Sequence, residues 1–136
     1  TLDRDLREQL LPKAPRIDPQ ALIAQGEAYA RSVGYPIQYQ WTLLEGINDS
    51  DEEAGRLGEA LAGKYAMMNY IPFNPVEGSA FRRPAPERLL SLIQRLRRRG
   101  IVACLRDSAG QDVDGGCGQL RARAVSVTPV TRATRP

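Results

Sequence analysis

The sequence predicts an α/β fold built on about three parallel strands, and three observations carry that prediction. Short apolar runs rich in β-branched and aromatic residues fall at Ile37 to Leu44, Tyr65 to Ile71 and Ile101 to Leu105. Stretches with helical spacing separate these runs, and Gly, Pro and Asn punctuate the junctions. Strands that alternate with helices of this length are joined by right-handed crossovers, so they run parallel in alternating βαβ units.

Each element has its own signals. The charged segment Asp3 to Leu11 is long enough for a turn or two of helix. Asp18 and Pro19 supply an N-cap and a first-turn proline, and Gly34 closes the helix they open. Along it, Ala21, Leu22, Tyr29 and Val33 recur at roughly helical spacing and are the expected apolar face. The first strand lies between Pro36 and Gly46. Asn48, Asp49 and Ser50 are turn residues, Ser50 with Glu53 reads as a capping box, and Ala54, Leu57 and Leu61 line one helix face up to Gly63. After the second strand, Pro72, Asn74, Pro75 and Gly78 impose an irregular loop. Pro86 opens a helix whose Leu89, Leu92, Ile93 and Leu96 face inward, and Gly100 ends it. From Arg106 onward the chain is polar and Gly-rich, and residues 121–136 read as a basic, disordered tail.

A chain of 136 residues, 42% hydrophobic and 26% charged, has room for one core. The net charge is only +3, yet the arginines crowd the second half, with four of them at Arg95, Arg97, Arg98 and Arg99. Clustered arginine neutralises phosphate and suits RNA, although it equally suits a solvated helix end. Two cysteines, Cys104 and Cys117, make no disulfide framework, and no signal peptide or membrane-length apolar span is visible, which fits a reducing cytoplasm. Without histidine, the chain offers no three- or four-ligand set for zinc or an iron-sulfur cluster. Thr1 is not a start methionine, and a three-stranded parallel slice would leave apolar surface open; both suggest a piece of a longer protein.

In such folds the functional groups gather in loops after the carboxyl ends of the strands, here Glu45 to Ser50, Pro72 to Ser79 and Arg106 to Gln119. Those loops carry, in order, Leu43-Leu44-Glu45-Gly46-Ile47-Asn48-Asp49-Ser50, Ile71-Pro72-Phe73-Asn74-Pro75 and Gly116-Cys117-Gly118-Gln119-Leu120. They resemble the LLxGxNDS, IPxNP and CGQL segments of the radical S-adenosylmethionine (SAM) methyltransferases of the RlmN/Cfr type, which modify C2 or C8 of an adenosine in large-subunit ribosomal RNA. The resemblance runs from about Leu2 to Leu120 and corresponds to the C-terminal third or so of a family member.

The resemblance implies the C-terminal portion (residues 1–120) of a partial (β/α) radical SAM barrel that holds SAM and a four-iron four-sulfur (4Fe-4S) cluster. It assigns Asn74 to SAM contact and Cys117 to a methyl-carrier role. In that role the sulfur is first methylated by SAM; a 5′-deoxyadenosyl radical then abstracts hydrogen, and the resulting carbon radical attacks the adenine. Physical chemistry fits both. An amide donates and accepts hydrogen bonds, and a deprotonated thiol is a strong nucleophile. Gly115, Gly116 and Gly118 clear side chains from around Cys117. Asp112 and Asp114 would raise the thiol pKa if close, so Arg106 or another cation should offset them. The alternative is an ordinary surface cysteine in a glycine-rich loop. Cys104, within a strand, reads as a small buried hydrophobe. Asn48 and Asp49 read as a turn and cap before they read as ligands, and Tyr39 and Trp41 as core before base-stacking groups.

The chain also departs from the family. The CxxxCxxC cluster motif, the partner cysteine, the Gly-Glu SAM contact and the accessory domain are absent, so this stretch alone is expected to be inactive. Ala109 stands where arginine is usual, Gly115-Gly116 where alanines are usual, and Gln40-Trp41 where Glu-Tyr is common. These changes suggest a paralogue with its own RNA substrate. Two other classes remain: a non-catalytic RNA-binding module, and a small domain that dimerises through its open sheet.

Overall fold

The computed structural model describes residues 1–106. In chain order they form α1 (Arg4–Leu10), α2 (Pro19–Val33), β1 (Ile37–Leu43), α3 (Asp51–Leu61), β2 (Ala66–Pro72), α4 (Pro86–Arg97) and β3 (Val102–Leu105). The strands make one parallel sheet in the order β1-β2-β3, with Trp41 beside Tyr70 and Tyr70 beside Leu105. The expected α/β slice is therefore the fold.

Local chemistry sets the ends of the elements. Asp18 accepts a hydrogen bond from the Ala21 amide at 3.2 Å, Pro19 occupies the first turn, and Gly34 takes the left-handed conformation at φ 74°. Ser50 accepts from the Glu53 amide at 3.1 Å and starts α3. The reciprocal half of the capping box does not form. The Glu53 carboxylate turns instead to the Thr1 hydroxyl, the Leu2 amide (2.9 Å) and Arg56 (2.5 Å), and so ties the N-terminal segment to α3.

Glu53 is only 3% exposed. Burial pushes its pKa up, but the hydrogen bonds from Thr1, Arg56 and Leu2 outweigh that and hold it below the ordinary glutamate value. A depressed folded-state pKa gives stability that is present above the unfolded value of about 4.3 and is lost as pH falls through the folded one. Urea unfolding at pH 6 and pH 3 should therefore show a smaller acid loss for Glu53→Gln than for the unmodified protein. Equal losses would refute this account of Glu53.

One face of the sheet carries the core. Trp41, Leu43, Met68, Tyr70 and Ala103 pack there against Leu57 and Leu61 of α3 and Leu89, Leu92, Ile93 and Leu96 of α4. Each buried leucine side chain contributes about 1.5–3 kcal/mol of transfer free energy. Gly58 leaves room for the Arg99 side chain that follows α4: a Cβ there would lie 2.7 Å from its Cδ. The inward face predicted for α4 is the observed one.

The face predicted for α2 is not. Leu22, Tyr29 and Val33 are 43%, 62% and 41% exposed, and the buried residues are Pro19, Ile23 and Ala30. The helix meets β1 through its small residues, because a Cβ at Gly26 would sit 2.5 Å from the Tyr39 hydroxyl. Tyr39 and Trp41 belong to the core side, as expected. Cys104 is half-buried rather than fully buried, because it points to the sheet face opposite the helices. The proposed boundary at residue 120 and the tail at 121–136 lie outside the described residues.

Candidate functional site at the carboxyl ends of the strands

The strand termini bring two of the three loops together. The Phe73 amide donates to Leu43 O at 3.1 Å, extending the β1-β2 ladder into the loop, and the Glu45 amide donates to Arg82 O at 2.9 Å. Arg82 and Glu45 add an exposed ion pair at 2.7 Å, which adds little by itself. Phe73 and Phe81 pack edge to face with centroids 5.9 Å apart, closing the second loop on itself. The Arg106 amide donates to Tyr70 O at 2.8 Å, so the third loop also departs from this end of the sheet.

The first loop is held from within. Asn48, 6% exposed, accepts from the Leu44 amide at 2.8 Å and donates to Thr42 O at 2.9 Å. Asp49 accepts from the Gly46 amide at 2.8 Å, where Gly46 has φ 69°. Arg88 on α4 donates to Asp49 O and to Asp51 (2.6 Å), and Arg95 reaches the other Asp51 oxygen at 2.5 Å. The Arg88 hydrogen bond is the main reason the Asp51 carboxyl sits below its usual range. Asn48 and Asp49 therefore act as turn and cap, the reading preferred for them.

Asn74 stands half-buried in the second loop, with Arg83 donating to its Oδ1 at 3.5 Å. At that length the contact is weak and leaves the amide able to take another partner. Beside the loop a cleft of about 340 Å³ opens among Gln40, Thr42, Leu44, Asn48, Phe73 and Phe81. Cys117 lies outside the described residues, as do Asp112 and Asp114. The arginine run is largely committed to the fold: Arg95 holds Asp51, Arg97 donates to Ala103 O at 2.9 Å, and Arg99 donates to Gly55 O at 3.1 Å.

One residue of this region escaped the sequence reading. Asn69 lies in the middle of β2, is 3% exposed, and its Nδ2 has no hydrogen-bond partner. The signal was a lone amide inside the apolar run Ala66 to Ile71. Among the described residues no three His, Cys, Asp or Glu side chains cluster as a metal site, and no helix is long and apolar enough to cross a membrane.

No family model matches the chain. Curated relatives do. A probable RNA methyltransferase of Thiobacillus denitrificans is 60% identical over 136 residues, the whole of this chain and 37% of the relative. One of Chromobacterium violaceum is 58% identical over 99% of this chain and 38% of the relative. The chain thus spans little more than a third of the length of these relatives. A radical SAM methyltransferase from Sphaerobacter thermophilus superposes with a TM-score of 0.79 at 38% identity, covering 86% of this chain and 34% of that one. A domain of a pyruvate-formate lyase-activating enzyme from Bacteroides vulgatus shares the fold alone, with a TM-score of 0.61 at 18% identity.

Proposed function

We propose that this chain, which is similar to probable RNA methyltransferases and to a radical SAM methyltransferase, forms the C-terminal, SAM-facing part of an enzyme that methylates an adenosine carbon, C2 or C8, in RNA, with 23S ribosomal RNA the first substrate to test. The observation that carries this reading is the meeting of the Leu43 to Ser50 and Ile71 to Pro75 segments at one end of the sheet, joined through Phe73 to Leu43 and Glu45 to Arg82. Cytoplasmic conditions suit it, since they keep a thiol reduced.

The residues present fit SAM but not the cluster. Asn74 keeps an amide available at the mouth of the sheet, and that group suits the amino-acid or ribose part of SAM. Among the described residues none form a cluster-ligating set, and in this reading the 4Fe-4S ligands are supplied by other residues. When bound, SAM and the cluster supply an electrophilic methyl group and a radical source.

Within that reading, Cys117 is the methyl carrier. Its thiolate would attack the methyl carbon of SAM, with the new S–C bond formed as the sulfonium C–S bond breaks and S-adenosylhomocysteine leaving with the electron pair. Asn74 would hold the amino-acid or ribose part of SAM, so that the methyl group is presented to the thiol.

The test is direct. The full-length protein, purified without oxygen and reconstituted with iron and sulfide, is incubated with SAM bearing an isotopically labelled methyl group, and the Cys117 peptide is weighed. A labelled methyl on Cys117 is the expected result. An unmodified Cys117 in protein shown to hold both cluster and SAM would overturn the mechanism and favour a non-catalytic RNA-binding module.

A further inference from the structure

The two faces of the sheet are chemically unlike. Register puts Gln40, Asn69 and Cys104 in one row across β1, β2 and β3, on the face opposite Tyr39, Met68 and Ala103. Gln38, Gln40 and Thr42 are exposed on that face, and the core residues of α2, α3 and α4 pack on the other one. A polar row on the open side of a parallel sheet is not explained by core packing, which these strands satisfy with the other face.

Asn69 is the anomaly in the row. It is 3% exposed and its Nδ2 has no acceptor, although buried side-chain amides are nearly always paired. Its strand runs on, through Ile71 on the same face, directly into the loop that carries Asn74. The free atom is a donor, so the missing partner must present an acceptor. An asparagine amide is also the side chain whose donor and acceptor together match the edge of an adenine.

We infer that Asn69 is a ligand-positioning residue whose amide donates to an adenosine group bound against the open face of the sheet. This rests on the function proposed above, which supplies two adenosine groups, that of SAM and that of the acceptor nucleotide. The shared chemistry is the same for both, and experiment separates them.

Asn69→Asp keeps the shape of the side chain and removes the donor. In the full-length protein, affinity is measured for S-adenosylhomocysteine by calorimetry and for an adenosine-containing oligoribonucleotide by filter binding, with the unfolding temperature recorded alongside. One of the two affinities should fall tenfold or more. Loss for S-adenosylhomocysteine identifies the cofactor adenosine, and loss for the oligonucleotide identifies the acceptor. Both affinities within twofold of the unmodified protein, with a lowered unfolding temperature, would mean that the protein itself supplies the acceptor, and would overturn the inference. If the variant fails to fold, the side-chain amide of Asn69 in unmodified, ¹⁵N-asparagine-labelled protein is followed by NMR. A shift on adding either probe is expected, and none with both probes shown to be bound also overturns it. An unmodified protein that binds neither probe fails at an earlier point, against the functional reading itself.

Discussion

Replacing Cys117 by alanine in the full-length protein is expected to abolish methyl transfer to RNA, by at least about a thousandfold, while affinities for SAM and RNA stay within a few fold. The asymmetry follows from what the sulfur is proposed to do. It makes and breaks covalent bonds to the methyl carbon, and no neighbouring side chain in Gly115-Gly116-Cys117-Gly118 can substitute as a nucleophile. Binding, in contrast, would draw on contacts spread over the loops and on phosphate neutralisation, neither of which needs the thiol. Methyl transfer is measured with labelled SAM under single-turnover conditions, and binding with S-adenosylhomocysteine and RNA separately. A Cys117→Ala protein that still methylates RNA at a tenth of the normal rate would sink the carrier role. Cys117→Ser makes the comparison sharper, because a hydroxyl of nearly the same size is a far weaker nucleophile at neutral pH.

Much of the fold was legible before the structure. The three strands stood out because each apolar run is bounded by breakers, and α4 because Leu89, Leu92, Ile93 and Leu96 mark a single buried stripe. The α2 face was misread for a physical reason. Hydropathy weights large side chains, but this helix approaches the sheet through Gly26 and Ala30, whose value is their small size, and leaves Leu22, Tyr29 and Val33 outside. The capping box failed in half because Glu53 found three donors outside its own helix end, and nothing local in Ser50 to Glu53 announces Thr1 and Leu2 as partners. Asn69 differs from both. A polar amide between Met68 and Tyr70 is visible in the sequence, but its unpaired donor appears only once the strand register and the burial of the side chain are known. Asn74 was found through its motif, and it stands in the loop that follows β2.

Asn48→Ala is expected to cost the full-length protein about 2–4 kcal/mol of unfolding free energy, more than most single side chains in a loop. Asn48 completes the first loop by two hydrogen bonds at once, from the Leu44 amide at 2.8 Å and to Thr42 O at 2.9 Å. Leu44 is 7% exposed, so its amide has little access to replacement water. Asn48→Asp separates the two bonds: the carboxylate still accepts from Leu44 but sets a negative oxygen against Thr42 O, so it should recover only part of the loss. Urea unfolding of the three proteins measures this, and a cost below about 0.5 kcal/mol for alanine would show that the loop does not depend on the side chain. A functional consequence follows from the same geometry. The second loop is tied to the first through Phe73 to Leu43 and Glu45 to Arg82. Loosening the first loop therefore releases the Asn74 segment from one of its anchors, and affinity for S-adenosylhomocysteine should fall several-fold. Unchanged affinity in a destabilised Asn48→Ala protein would mean that the Asn74 loop holds its geometry through Phe73 and Phe81 alone.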